Sequence, residues 1–133
     1  MDKQPLVYII VLNYKGIDDT IECLESIKKI SYNNYRVIIV DNYSCDGSEE
    51  KTRNSYPEYT IIQTGKNLGY AGGNNIGIKH ALDRDAQYIC ILNNDVIVEN
   101  DFLETVIIKL EKNPDWGIAG PKVCEYYDRE KIH

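Results

Sequence analysis

No apolar run in this sequence approaches the roughly 18–20 residues that a helix needs to cross a bilayer. The apolar stretch 6–12 is short, lacks a small-residue cleavage site and leads straight into Asn13-Tyr14-Lys15-Gly16, so it reads as a first strand rather than a signal core. Basic residues are not in excess either: Lys+Arg is 15 against Asp+Glu 21, a net charge of -6. A nucleic-acid surface needs clustered basic residues to displace counterions, and none are present. A negatively charged substrate stays open, because one metal ion can invert a local field. The four cysteines (Cys23, Cys45, Cys90, Cys124) form no CxxC pair, and only His80 and His133 are there to join them, which argues against zinc. Cys23 falls on the apolar side of an expected helix and Cys90 inside an expected strand, as small core residues do. Reduced thiols in a cytosolic protein are the simpler interpretation. Internal repeats, low-complexity tracts and flexible linkers are also absent.

What is present is an alternation of strand and helix signals over 133 residues, the length of one domain with a single sizeable core. Strands are expected over 7–12, 36–40, 60–63 and 88–92, with 117–123 a candidate fifth interrupted by Gly120-Pro121. A helix over 19–30 is expected from the stripe Ile17, Ile21, Leu24, Ile27 and Ile30, with Asp18 and Asp19 suiting its start and Lys28 and Lys29 its end. A short polar helix over 49–55 stops at Pro57, and a loop over 64–73 leads into a helix over 74–83. The last helix starts at Asp101, with Glu104 as a possible reciprocal cap, and closes at Pro114. Such alternation implies an α/β fold: a mostly parallel sheet flanked by helices on both faces, with 88–92 covered on both sides.

In a parallel sheet the polar strand ends Asn13-Tyr14, Asp41-Asn42 and Asn93-Asn94-Asp95 lie on one edge and can converge on one ligand. Oxygen-bearing side chains there can hold a hard cation or sugar hydroxyls, although Asn-Asn-Asp is also ordinary turn chemistry. Asp41 suits acceptance from a base imide N–H or from ribose hydroxyls, and equally suits a turn or a helix entry. The segment 65–77 is dense in Gly and Asn and precedes a helix, whose amino-terminal N–H groups favour anions. Its spacing is neither GxGxxG nor GxxxxGK[ST], and a set of tight turns would use the same residues.

Taken as a set and in order, 8–14, RVIIVDNYSCD (36–46), NLGYAGGNNIG (67–77) and LNNDV (92–96) resemble family-2 glycosyltransferases, with the bacterial rhamnosyltransferase-like branch the nearest in pattern. The resemblance implies a GT-A (Rossmann-like) fold, a nucleotide-diphospho-sugar donor, a divalent cation (Mg²⁺ or Mn²⁺) and inversion at the anomeric carbon. It places Asn13, Tyr14, Asp41, Asn42, Asn67, Gly72, Gly73, Asn75, Asn93 and Asn94 at the nucleotide sugar, and Asp95 on the metal. Asn93 stands where the family's D-x-D motif has its first carboxylate, so metal affinity without the donor is expected to be weak. The family continues into an acceptor-binding half, so 1–133 is expected to be a single donor-binding domain lacking that part, with the general base beyond His133. Glu125, Asp128 and Glu130 read as surface charges. The implied partners are the donor and a glycan or lipid-linked acceptor of polysaccharide or cell-surface glycan synthesis, in the cytoplasm or at the inner membrane face.

Two other classes compete. A receiver- or flavodoxin-like domain fits the length but wants an acidic pair or a hydroxyl-rich phosphate loop after the first strand, where Asn13-Tyr14 stands. A non-catalytic interaction module would use an exposed apolar sheet edge for self-association.

Overall fold

A computed structural model describes residues 4–128 and 130–132, so His133, named above, lies outside the described residues. Strands and helices alternate: β1 Val7–Asn13, α1 Ile17–Ile27, β2 Tyr35–Asp41, α2 Ser48–Ser55, β3 Thr60–Gln63, α3 Gly69–Leu82, β4 Tyr88–Asn93 and α4 Phe102–Lys112. All pairings are parallel and the order is β3-β2-β1-β4. Flavodoxin- and receiver-like sheets put β3 beside β1, whereas here β4 takes that place, so the order follows the dinucleotide-binding pattern. Asn13 is in register with Asp41, Leu12 with Asn93, and Asp41 with Gln63, which brings the carboxyl ends of all four strands to one edge.

Alternation of side chains along β1 and β2 builds two cores. Val7, Ile9, Val11, Val37 and Ile39 face Cys23, Leu24 and Ile27 of α1 and Phe102, Leu103 and Ile107 of α4. Tyr8, Ile10, Ile38 and Val40 face Ala81 and Ile78 of α3. Each fully buried aliphatic side chain contributes about 1.5–3 kcal/mol. Helices therefore cover both faces of β1 and β2, as expected of an α/β sheet.

The largest departure from expectation is α3, which begins at Gly69 and takes in the second half of the expected loop 64–73. Gly69 enters at φ +71, a conformation few side chains tolerate. Beyond it the glycines serve packing. A Cβ on Gly73 would sit 2.5 Å from Leu12 Cδ1, and one on Gly77 would sit 2.7 Å from Ile10 Cγ2. Each helical glycine costs about 1 kcal/mol of propensity, so the sequence pattern favours a loop; the close helix–sheet approach offsets that cost.

Other boundaries shift for local reasons. β4 has no outer neighbour among the described residues, so it is half-covered rather than buried, and Ile91 is 44% exposed. Residues 117–123 form no strand, Ile118 is 93% exposed, and only a bridge between Cys124 and Ile132 marks this region. Gly120-Pro121 removes a donor, and the segment pairs with neither edge of the sheet. Helix α1 starts and stops earlier than the expected 19–30, with Ile30 buried just past its end. Asp101 makes no side-chain cap bond on α4, and Glu104 instead accepts from the Ser31 hydroxyl at 3.0 Å. Glu125 is ion-paired with Lys131 at 2.7 Å. Among the described residues no helix is long and apolar enough to cross a membrane.

All four cysteines are free thiols. Burial, then the Asp95 and Cys90 charges, pushes Cys23 up to about 12, and burial pushes Cys90 up to about 12. Thiolate is the reactive form. A disulfide reagent at pH 8 is expected to modify exposed Cys45 in the native protein, and Cys23 and Cys90 only after denaturation. Peptide mapping that finds Cys23 modified early would contradict this packing.

Candidate functional site

The site is built around Asn13, the last residue of β1. It is 1% exposed, and both ends of its amide are engaged. Its Nδ2 donates to Asp41 Oδ2 at 2.9 Å and to Ser44 Oγ at 3.2 Å. Its Oδ1 accepts from the Thr20 hydroxyl at 2.9 Å and from Gly16 N at 3.3 Å. Asn13 thus ties the end of β2 to the start of α1, and no group is left over for a ligand.

Asp41 is the next layer. Ser44 N donates to its Oδ1 at 2.9 Å and Gln63 Nε2 at 3.1 Å. Its Oδ2, with Asn13 as its partner, keeps capacity for one more donor. Gln63 also donates to Glu49 Oε2 at 2.8 Å, and Arg53 donates to Glu49 Oε1 at 2.9 Å. These hydrogen bonds, from Gln63 first and Arg53 second, hold the Glu49 carboxyl below its ordinary range. Asp41, Tyr43, Cys45, Glu49, Arg53 and Gln63 line a cavity of about 430 Å³ between the ends of β2 and β3 and helix α2.

Asn42 faces the other way. Its Nδ2 donates to Asn67 Oδ1 at 3.0 Å and to Gly69 O at 3.1 Å, and its Oδ1 accepts from Leu68 N at 2.9 Å. Asn67 Oδ1 also accepts from Gly69 N at 2.8 Å. Asn42 therefore fixes the entry to α3, while the Asn67 amino group has no hydrogen bond among the described residues.

A second cleft of about 380 Å³ opens between β1, β4 and the start of α3, lined by Leu12, Tyr14, Asn42, Asn67, Gly69, Tyr70, Asn93, Asn94 and Asp95. This is where the strand order reverses, the crevice in which open α/β sheets bind ligands. Asn94 Nδ2 donates to Thr20 Oγ1 at 3.0 Å and Gly16 O at 3.2 Å, joining β4 to α1. The Tyr70 hydroxyl donates to Asn93 Oδ1 at 2.9 Å across the cleft. Asp95 is exposed and has no hydrogen bond or ion pair among the described residues. Lys15, Tyr43 and Cys45, at the ends of β1 and β2, have φ of 55, 66 and 53. Non-glycine residues in this region cost about 1–3 kcal/mol each, and such strain clusters at functional sites.

The cleft brings together Tyr14, Asn42, Asn67, Asn93, Asn94 and Asp95, with Asp41 in the adjoining cavity. It does not include Gly72, Gly73 or Asn75. A Cβ on Gly72 would meet Leu68 Cβ at 2.8 Å, Gly73 faces the sheet, and Asn75 lies exposed on α3. The buried member of the Asn pair is Asn74, whose Nδ2 donates to Tyr70 O at 3.0 Å and whose Oδ1 has no partner. Sequence reasoning missed Asn74, Ser44, Gln63 and Tyr70. The spacing of Gly73, Gly77 and Ala81 could have placed Asn74 on the sheet side.

Among the described residues no three His, Cys, Asp or Glu side chains group to hold a cation. The Asp95 carboxylate gives hard oxygen donors with a single charge, whereas the Asn93 amide oxygen is engaged by Tyr70. The carboxylate suits Mg²⁺ or Mn²⁺ only where a ligand's own oxygens complete the shell.

The sequence profile described as "Glycosyl transferase family 2" matches residues 7–132. Among curated proteins, the Haloferax volcanii low-salt glycan biosynthesis hexosyltransferase Agl10 is 28% identical over 116 residues, 86% of this chain and 36% of that protein. The Shigella flexneri dTDP-rhamnosyl transferase RfbF is 27% identical over 127 residues, 96% of this chain and 40% of its own length. The chain thus spans well under half the length of these relatives. Among solved structures, the mannosyltransferase PcManGT from Pyrobaculum calidifontis, in complex with GDP-Man and Mn2+, superposes with a TM-score of 0.77 at 22% identity, covering 97% of this chain and 38% of that one. S. aureus TarS in complex with UDP-GlcNAc gives 0.72 at 17% identity, covering 93% and 42%. These structures share the fold, and the profile match over nearly all of the chain shows that it belongs to glycosyl transferase family 2.

Proposed function

We propose that this chain is the nucleotide-diphospho-sugar-binding part of an inverting glycosyltransferase that works with Mg²⁺ or Mn²⁺. The observation that carries the reading is the pair of adjoining cavities divided by Asp41-Asn42, with an unpartnered carboxylate, Asp95, at the mouth of one. The base sits over Asp41, whose Oδ2 accepts an N–H. The diphosphate lies in the second cleft, facing the positive end of α3. Asn13, Asn42 and Asn94 hold the walls. Asp95 would hold the cation, which supplies Lewis-acid neutralisation of the departing diphosphate. Transfer also requires a general base for the acceptor hydroxyl. Asp95 is the one carboxylate lining this cleft among the described residues, so we assign the base to no residue described here.

The two curated relatives are by name a glycan biosynthesis hexosyltransferase and a dTDP-rhamnosyl transferase, which supports a role in glycan synthesis without choosing the sugar. The edge of β4, unpaired among the described residues, supports as a lesser reading association with a further polypeptide segment or a second copy.

Calorimetric titration with UDP, GDP and dTDP, each with and without Mn²⁺, tests the assignment. Binding is expected to favour one base and to tighten with metal. Asp41→Asn should weaken the preferred nucleotide about 10–100-fold, the worth of a hydrogen bond to a charged group. Equal affinity in wild type and Asp41→Asn would remove Asp41 from the base site.

A further inference from the structure

Position 93 deserves a closer chemical account, because it occupies the first place of the Asn-Asn-Asp triplet with an uncharged amide. An amide has two different ends, an acceptor oxygen and an amino group with two donors. Tyr70, the second residue of α3, reaches across the cleft, and its hydroxyl bonds the oxygen end at 2.9 Å. The amino end has no hydrogen bond among the described residues, and Asn93 lines the cleft. Electrostatics favours the same orientation. Asp95 lines this cleft as an unpaired negative charge, and an amino group is attracted to it where a carbonyl would be repelled. Tyr70 is 61% exposed, so its hydroxyl bears on Asn93 and not on the core.

We propose that the Tyr70 hydroxyl, by holding Asn93 Oδ1, makes position 93 a hydrogen-bond donor towards the phosphate or ribose oxygens of the bound nucleotide and leaves the cation to Asp95 alone. The proposal rests on the donor-site reading above. Tyr70 is then a positioning residue: it acts on the ligand through Asn93 and decides whether that side chain serves anion or cation. Metal binding is correspondingly weak before the nucleotide arrives, because one carboxylate and no fixed carbonyl face the ion.

The test uses the 133-residue chain, its Tyr70→Phe and Asn93→Asp variants and two readouts. Binding of Mn²⁺ alone is followed by electron paramagnetic resonance and water-proton relaxation, and binding of UDP, GDP and dTDP without metal by calorimetry. Tyr70→Phe keeps the ring and frees the amide to turn. It should tighten Mn²⁺ alone at least threefold and weaken metal-free nucleotide at least threefold, two changes of opposite sign that a merely structural role would not produce. Asn93→Asp, which adds a carboxylate, should tighten Mn²⁺ at least tenfold. A change below threefold in either Tyr70→Phe readout, or a parallel loss of both, overturns the proposal. If the wild type binds no nucleotide, the donor-site reading fails and this proposal's nucleotide half falls with it. The Mn²⁺ readout then still decides whether Tyr70 withholds Asn93 from the ion.

Discussion

Gly77→Val is expected to lower stability by about 3 kcal/mol, the upper end for overpacking a core. The added Cβ alone would lie 2.7 Å from Ile10 Cγ2 and 3.2 Å from Val40 Cγ2. Neither neighbour has room to move: both are fully buried in the centre of the sheet. Valine's better helix propensity returns less than about 0.5 kcal/mol. In a domain of this size the loss corresponds to about 10 °C in melting temperature. Urea titration should show a lower midpoint at an unchanged slope. Gly117→Ala is the control, since nothing lies within 4 Å of a Cβ there, and it should stay within about 0.5 kcal/mol. A midpoint unmoved by Gly77→Val would mean that α3 stands further from the sheet than described.

Asn13→Ala should be nearly as severe, at about 3 kcal/mol. It removes four hydrogen bonds at once and takes from Asp41 Oδ2 its one protein donor. A buried carboxylate with fewer donors is costly, so nucleotide affinity should fall together with stability. Tyr14→Ala separates the two effects. Tyr14 is 46% exposed and lines the cleft, so its loss should leave stability within about 0.5 kcal/mol while weakening the ligand. If Asn13→Ala instead spared stability and cost only affinity, Asn13 would be a contact residue after all.

That contrast shows where sequence is a sufficient guide. β1 and β2 were legible because runs such as Val7 to Val11 carry β-branched side chains on both faces, and the polar residue ending each run marked the carboxyl edge of the sheet. The convergence of Asn13, Asp41 and Asn93 followed from parallel pairing alone. Helix α3 was not legible, because its glycines count against a helix until Leu12 and Ile10 are seen beneath them. Asn74 and Asn75 are adjacent in sequence but a hundred-degree turn apart on the helix, and only the packing says which is buried. The stretch 117–123 has strand composition, and composition cannot supply a neighbouring strand. Whether a polar side chain faces a ligand or another residue is a question of partners, as Asn13 shows.

The amides of Asn13 and Asn42 are engaged within the protein, whereas the amino ends of Asn67 and Asn93, the Asp95 carboxylate and the Tyr14 ring face open space. The fold and the open cleft therefore draw on different side chains at the same strand ends. Such separation lets a lineage exchange one ligand for another by substituting the outward group alone, with little risk to folding. The inward group, by the same logic, tolerates almost no change, since each of its members supports several others.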